Sequence, residues 1–373
     1  MIRRLCGMLL CLCVLLLCVV PTQAEAEQPD TRGELMPLSF AQNFRVETLE
    51  NGMHLLTLGE REQFLLVPEG AGDVPAEFPD LPRILIPVRR VYLASSSVAD
   101  LFLQLGALDH VRFTSTDTSG WQLPELRAAI DGEDLFYVGK YSAPDYELLL
   151  EEGCDLVVEN TMILHKPETR EMLQNLGFPV MLEYSSYEPH PLGRVEWIKL
   201  YGLLTGNLEA AERFFAEQEA LFRNLEAGEK SGKTVAFFHI TANGAVVVRR
   251  ENDYVTRMIE LAGGESAIHD LPPSDNALST ATIQMESFYA QARDADILVY
   301  NSTVAGEVPD MDRFLTLSPL LSEFRAVQSG EVWCTEQSMF QRSSAAVGMI
   351  SDFREILSDV PDEDSLTYLY RID

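Results

Sequence analysis

The stretch His190–Phe215, HPLGRVEWIKLYGLLTGNLEAAERFF, decides the fold. Leu192, Val195, Ile198 and Tyr201, with Leu200, Leu203 and Leu204 beside them, recur at helical spacing over a broad apolar face. Leu204-Thr205-Gly206-Asn207 interrupts that face. Asn207 can open a second helical piece whose first turn carries Glu209 and Glu212, the charge favoured at a helix start. Its apolar positions continue at Leu208, Ala211, Phe214, Phe215, Leu221, Phe222 and Leu225. The segment lies almost halfway along 373 residues, so what flanks it decides between a surface helix pair and a connector.

Strand and helix patterns alternate on both sides. Before it, candidate strands at 89–94, 111–114, 155–159 and 179–183 are interleaved with candidate helices at 98–106, 124–130, 145–152 and 172–176. After it the alternation restarts: strand 234–240, helices 254–262 and 285–293, strand 297–301, helix 313–317, strand 331–335 and helix 345–357. This predicts an α/β protein of two βαβ lobes, residues 83–190 and 229–373, joined by a central backbone helix over 191–228, with a ligand cleft between the lobes. A chain of this length is long enough for two cores.

The N-terminal part reads differently. Arg3 and Arg4 precede an apolar run from Leu9 to Val20, and Ala24-Glu25-Ala26 follows, which predicts a secretory signal peptide over 1–26. Leu15-Leu16-Leu17-Cys18 also suggests a lipoprotein cysteine at Cys18, although Leu17 is larger than the residue usual there. Residues 27–82 form a leader rich in Pro, Glu and Gly, with strand-like pieces at 53–58 and 63–67 around Asn51-Gly52. Cys154 and Cys334 are read as two buried free thiols.

A formal charge of -30 argues against nucleic acid as a partner and fits an exported, monomeric protein. Gly228–Thr234, GEKSGKT, resembles a phosphate loop but is one residue short and precedes a strand instead of following one. No Gly-x-Ser-x-Gly elbow and no His-Glu-x-x-His pair occurs, and the six histidines do not cluster at ligand spacing. Nothing in the sequence points to catalysis, to a catalytic residue, or to a cofactor of the protein's own.

Sheets of this kind bind ligands at the carboxyl ends of their strands, so residues just after strands are the candidates. In the first lobe these are Ser96, Ser97, Tyr141, Asn160, Thr161 and Tyr187, with Trp121 on a nearby loop. In the second they are Arg249, Arg250, Tyr254, Asn301 and the stretch from Met339 to Gln341. Aromatics with a few polar groups suit a bulky organic ligand, and the arginine pair suits anionic groups on it.

Several stretches together resemble the periplasmic binding proteins of ferric-siderophore, haem and cobalamin ABC importers: LASSSVADLFLQLGALDHV at 93–111, YELLLEEGCDLVVE at 146–159, LGRVEWIKLYGLLTGNLEAAE at 192–212, MIELAGGES at 258–266 and MESFYAQARDADILVYNST at 285–303. The resemblance implies a binding protein, not an enzyme, that passes an iron or cobalt complex to a membrane permease. It also implies permease-docking glutamates, one per lobe, at Glu147 and, with a looser match in spacing, Glu286. A receptor for a bare zinc or manganese ion is the alternative within the fold, and a secreted enzyme is the alternative outside it.

Overall fold

In this computed structural model the described residues are 33–226, 228, 230–271 and 280–373. The expected signal peptide and Cys18 lie outside them. Each lobe is built on a sheet whose strands match the apolar runs of the sequence. In the first lobe five parallel strands run in the order Val180–Glu183, Leu156–Asn160, Val91–Leu93, Val111–Thr114, Phe136–Tyr137. Its three central strands are almost entirely buried, as expected of a parallel sheet covered on both faces.

The second lobe departs from a purely parallel reading. Thr234–Ile240, Ile297–Tyr300 and Val332–Thr335 are parallel, but Val246–Arg249 and Leu369–Arg371 join antiparallel. The first of these follows a tight turn at Asn243-Gly244, where Gly244 has φ +80°. Asn-Gly between apolar runs is a hairpin signal, and left-handed φ is free of strain at glycine. Thr280–Ile283 then pairs with the hairpin strand and returns to the parallel direction.

The central segment folds into three helices, Pro191–Glu196, Ile198–Thr205 and Leu208–Glu226. Gly206 sits at φ +77°, the Gly206 N–H bonds Leu203 O at 3.3 Å, and the Asn207 N–H bonds Gly202 O at 2.6 Å. That pair of bonds is the Schellman end of a helix, which closes on a left-handed glycine. The chain then doubles back. A Cβ on Gly202 would fall 2.6 Å from that of Ala211, Lys199 Nζ lies 4.4 Å over the Phe215 ring, and the His190 and Phe222 rings are 5.3 Å apart. Each contact pairs one residue before the turn with one at nearly the same sequence distance beyond it, so the connector is an antiparallel helical hairpin and not one extended rod.

The leader is more than one or two hairpins. Phe44–Thr48, His54–Leu58 and Glu62–Pro68 form an antiparallel meander, flanked by Glu34–Leu35 and by Arg83–Ile86. Arg83–Ile86, placed at the start of the first lobe by the sequence pattern, instead runs parallel to Glu62–Pro68 in this sheet, so the lobe proper starts at Val91. Between the sheet's first strands, residues 39–43 are held by two buried carboxylates. Glu196 accepts from the Ser39, Phe40 and Ala41 N–H groups, and Glu188 accepts from those of Gln42 and Asn43 and from the Trp197 indole. One continuous hydrophobic core joins Phe44 and Leu56 of the leader, Leu93 of the first lobe, Trp197 and Tyr201 of the hairpin, and Phe237 and Trp333 of the second lobe. Fully burying side chains of this size contributes about 3 kcal/mol each, so leader, hairpin and lobes support one another.

Cys154 and Cys334 are free thiols, as expected. Cys334 is buried but Cys154 is only half-buried, and burial pushes its thiol up to about 12. The Gly228–Thr234 stretch leads directly into strand Thr234–Ile240, the arrangement that excluded a phosphate loop.

Candidate functional site

The loops that leave the carboxyl ends of the two sheets meet at the waist of the molecule, above the helix Pro191–Glu196. One segment of the second lobe, residues 338–345, is stitched to the first lobe there. The Gln341 side chain donates to Gly120 O and accepts from Gln122 N, both at 2.8 Å, while Ser343 Oγ donates to Ser97 O at 2.6 Å. Asp100, buried, accepts from the Ser344 N–H at 3.0 Å and from the Ser344 hydroxyl, and Arg342 stands 3.8 Å from it. These bonds fix the spacing of the lobes at the base of the cleft.

Beside the stitch lies a floor of arginines and aromatic rings. Arg194, from the helix under the cleft, stacks 3.9 Å over the Tyr254 ring, and Tyr254 meets Phe340 edge-on at 6.3 Å. Arg249 lies 4.7 Å over Phe340 and 3.4 Å from Asp253, whose side chain also accepts from Val255 N to cap the helix Tyr254–Leu261. In the Arg249–Asp253 and Arg342–Asp100 pairs the carboxylate is the deeper partner, so the acid orients the guanidinium and the guanidinium faces the cleft. Burial raises the pKa of Asp253, opposed by Arg249 and Arg194. Burial likewise raises Glu183, opposed by Ser185, Arg194 and Ser95. His239, near Arg249, has its pKa lowered by burial and then by that guanidinium.

The cleft's lips are apolar. Met162 and Leu164, each 52% exposed, follow the strand Leu156–Asn160, and Val304, 64% exposed, follows Ile297–Tyr300. Apolar side chains left in water at the carboxyl edges of both sheets favour a ligand with an organic surface.

The candidates from sequence fall into three groups. Arg249, Tyr254 and Met339 come together at the floor, and Arg250, whose guanidinium donates to Thr280 O at 3.2 Å, is at its edge. Asn160, Thr161 and Tyr187 gather at the first lip, where the Thr161 and Tyr187 hydroxyls are 2.9 Å apart and Asn160 caps the following turn. Ser96 and Ser97 stand beside them at the stitch, while Tyr141, half-buried, packs on the outer face of the first sheet. Three expectations need correction, the first being Tyr141, which on that outer face does not line the cleft. Trp121 is on the loop foreseen for it, but its ring is fully buried and its indole donates to Thr116 O at 3.1 Å, so it does not face a ligand. Asn301 is also buried, with its side chain spent on capping Ser302–Ala305.

Sequence reasoning missed Arg194, Arg342 and the lip residues Met162 and Leu164, whereas Phe340 and Gln341 fall in the stretch 339–341 that it singled out. The signal for the missed residues was position after a strand, except for Arg194, which reaches the floor from the hairpin. Glu147 and Glu286 both lie exposed in the first turns of helices, Tyr146–Glu152 and Met285–Ala292. Each helix immediately precedes a parallel strand and so begins on the cleft side of its sheet. Among the described residues, no three His, Cys, Asp or Glu side chains gather as a metal-binding set, and no helix is long and apolar enough to cross a membrane.

Residues 91–338 match the family model described as periplasmic binding protein. A relative from Methanocaldococcus jannaschii, named an uncharacterized lipoprotein, is 23% identical over 368 residues, covering 94% of this chain and 91% of its own. Among solved structures, a periplasmic haem-binding protein of Vibrio cholerae has a TM-score of 0.57 at 18% identity, covering 72% of this chain and 98% of its own. The petrobactin-binding protein of Bacillus subtilis has a TM-score of 0.56 at 12% identity, covering 73% and 93%. The family match begins just after the leader sheet, whereas the lipoprotein relative extends over nearly the whole chain. With two α/β lobes, a helical connector and a cleft at the strand ends, the chain belongs to the periplasmic binding protein family.

Proposed function

We propose that the protein captures a bulky metal chelate outside the cytoplasm, an iron complex such as a ferric siderophore or haem, or a cobalamin, and delivers it to the permease of an ABC importer. The observation that carries this reading is the floor of Arg249, Tyr254 and Phe340 between apolar lips at Met162, Leu164 and Val304. Guanidinium groups meet anionic donor atoms, and rings and methyl-bearing chains meet an organic face. Structural neighbours named for haem and petrobactin binding support the ligand class. A bare ion would need a set of hard or imidazole ligands, and the described residues gather none. Binding without chemistry suffices, because the importer's ATPase supplies the work.

The exposed Glu147 and Glu286 would present one carboxylate from each lobe to the permease, across a face whose spacing the stitched waist sets. The lipoprotein name of the relative supports a membrane-tethered form of a monomer, anchored at Cys18, which loss of palmitate labelling in Cys18→Ser would check. The deciding experiment titrates the protein with hemin, ferric petrobactin and cyanocobalamin, followed by absorbance and calorimetry. Saturable one-to-one binding of one of them is the expected result. Tight binding of zinc or manganese with none of these chelates would overturn the reading in favour of an ion receptor.

A further inference from the structure

Arg194 is 5% exposed, and among the described residues no carboxylate oxygen stands within 4.0 Å of its guanidinium. A buried guanidinium with no carboxylate partner is costly in a protein interior. Tyr254 stacks under the central carbon of Arg194 at 3.9 Å and also shares a side-chain hydrogen bond with that guanidinium, which offsets part of that cost. Glu183 and Asp253 are near enough to feel the charge, but neither is within ion-pair distance of it, and Asp253 is already paired with Arg249 at 3.4 Å. Arg194 also borders a cavity of about 20 Å³, shared with Arg342, Tyr254, Ser343, Met258 and Met349. That volume suits one water-sized group. Two guanidinium groups rule against a cation there, and the thioether walls lower the local dielectric, which strengthens any charge–charge contact.

We propose that this cavity is an anion subsite, in which Arg194 and Arg342 together hold one chloride-sized anion or one carboxylate oxygen. Arg342 is positioned for it, with its Nε donating to Ser338 Oγ at 3.2 Å and its Nη1 3.8 Å from buried Asp100. An anion in the cavity ties the helix Pro191–Glu196 to the segment 338–345, the same segment that is stitched to the first lobe. The anion has two sources, a free ion or a carboxylate arm of the cleft ligand, and only the second rests on the chelate reading.

The test measures melting temperature of the full chain while chloride replaces gluconate at constant ionic strength. In the wild type the melting temperature rises and saturates, and Arg342→Gln, which changes the more exposed of the two arginines, needs about tenfold more chloride for the same shift. Arg194→Met loses the response, and Arg342→Gln keeps the test decisive if that variant does not fold. An identical chloride dependence in wild type and Arg342→Gln, or none in either, overturns the proposal. Hemin and hemin dimethyl ester then separate the sources. Chloride that weakens hemin binding but not that of the ester identifies the carboxylate arm, and chloride that competes with neither while still saturating identifies a free-ion site. Failure of hemin to bind bears on the chelate reading alone, since the salt titration needs no chelate.

Discussion

Glu196 is the residue whose loss should do the most to loosen the molecule. Its carboxylate accepts from the Ser39 N–H at 2.8 and 3.0 Å, from Phe40 at 2.7 Å, from Ala41 at 2.8 Å and from Lys199 Nζ at 2.8 Å. The group is fully buried, so Glu196→Ala strands three backbone donors and an ammonium with 10% side-chain exposure. Breaking a buried, hydrogen-bonded ion pair from one side costs about 3–5 kcal/mol. Unfolding entropy of about 2.1 cal/mol/K per residue over roughly 340 residues gives about 0.7 kcal/mol/K, so the melting temperature should fall by about 4–7 °C. Calorimetry measures the fall, and hydrogen exchange locates it: the amides of Ser39, Phe40 and Ala41 should lose protection while those of Gln42 and Asn43, held at 2.8 and 2.9 Å by Glu188, keep theirs. Glu196→Gln retains an acceptor and should lose less. An unchanged melting temperature with Ser39–Ala41 still protected would refute the idea that this carboxylate fastens the leader to the connector.

Glu159 is buried with both carboxyl oxygens unpartnered, and burial raises its pKa from the ordinary 4.5 to about 8. The folded state therefore holds a proton that the unfolded state releases. Stability contributed by the neutral form is fully present below pH 4.5 and is lost as pH rises to about 8, with a slope of up to about 1.4 kcal/mol per unit. Glu159→Gln should remove that slope, so urea unfolding at pH 5 and pH 8 should show the variant gaining on the wild type at the higher pH, and parallel profiles would count against it. Gly202→Ala places a Cβ 2.6 Å from that of Ala211 and 3.1 Å from Asn207 O, which should cost about 1–3 kcal/mol of stability in the same assay. Charge reversal at both Glu147 and Glu286 should abolish chelate uptake by cells while leaving chelate affinity unchanged in calorimetry, and intact uptake would sink the docking assignment.

The connector was legible because its punctuation is local: Gly206 accepts the left-handed φ of +77° that closes a helix, and Thr234–Ile240 follows as an unbroken apolar strand. The hairpin strand Val246–Arg249 had a local signal too, in Asn243-Gly244, although the surrounding alternation suggested parallel units only. What local pattern could not show is which side chain turns inward. Trp121 is on a loop at the right edge, but Thr116 O takes its indole and the ring joins the core. Arg194 looked like one more connector residue, and its role appears only when Tyr254, 60 positions later, folds onto it. The leader's place was hidden for the same reason, since the glutamates that hold residues 39–43 lie about 150 positions away.

These long-range bonds bear on how a loaded state is reported to a permease. A two-lobe receptor with a flexible hinge signals by closing, and that needs a linker able to absorb large backbone rotations. Here the connector is a doubled helix whose inner surface is shared with the leader, and the buried Glu196 within it and Glu188 just before it are both committed to the leader backbone. The second lobe is also tied to the first at Gln341, Ser343 and Ser344. Closure by tens of degrees would break most of these bonds together. The motion that remains cheap is a small shift of the lips around Met162, Leu164 and Val304, which no described bond ties across the cleft. If Glu147 and Glu286 form the docking face proposed above, a ligand would change that face in two ways, by filling the gap between the lips and by slightly altering the distance between the two carboxylates. On that mechanism the leader is functional ballast on the hinge, and weakening its clamp at Glu196 should widen the distribution of distances between labels placed on the two lobes without moving the floor residues Arg249 and Tyr254.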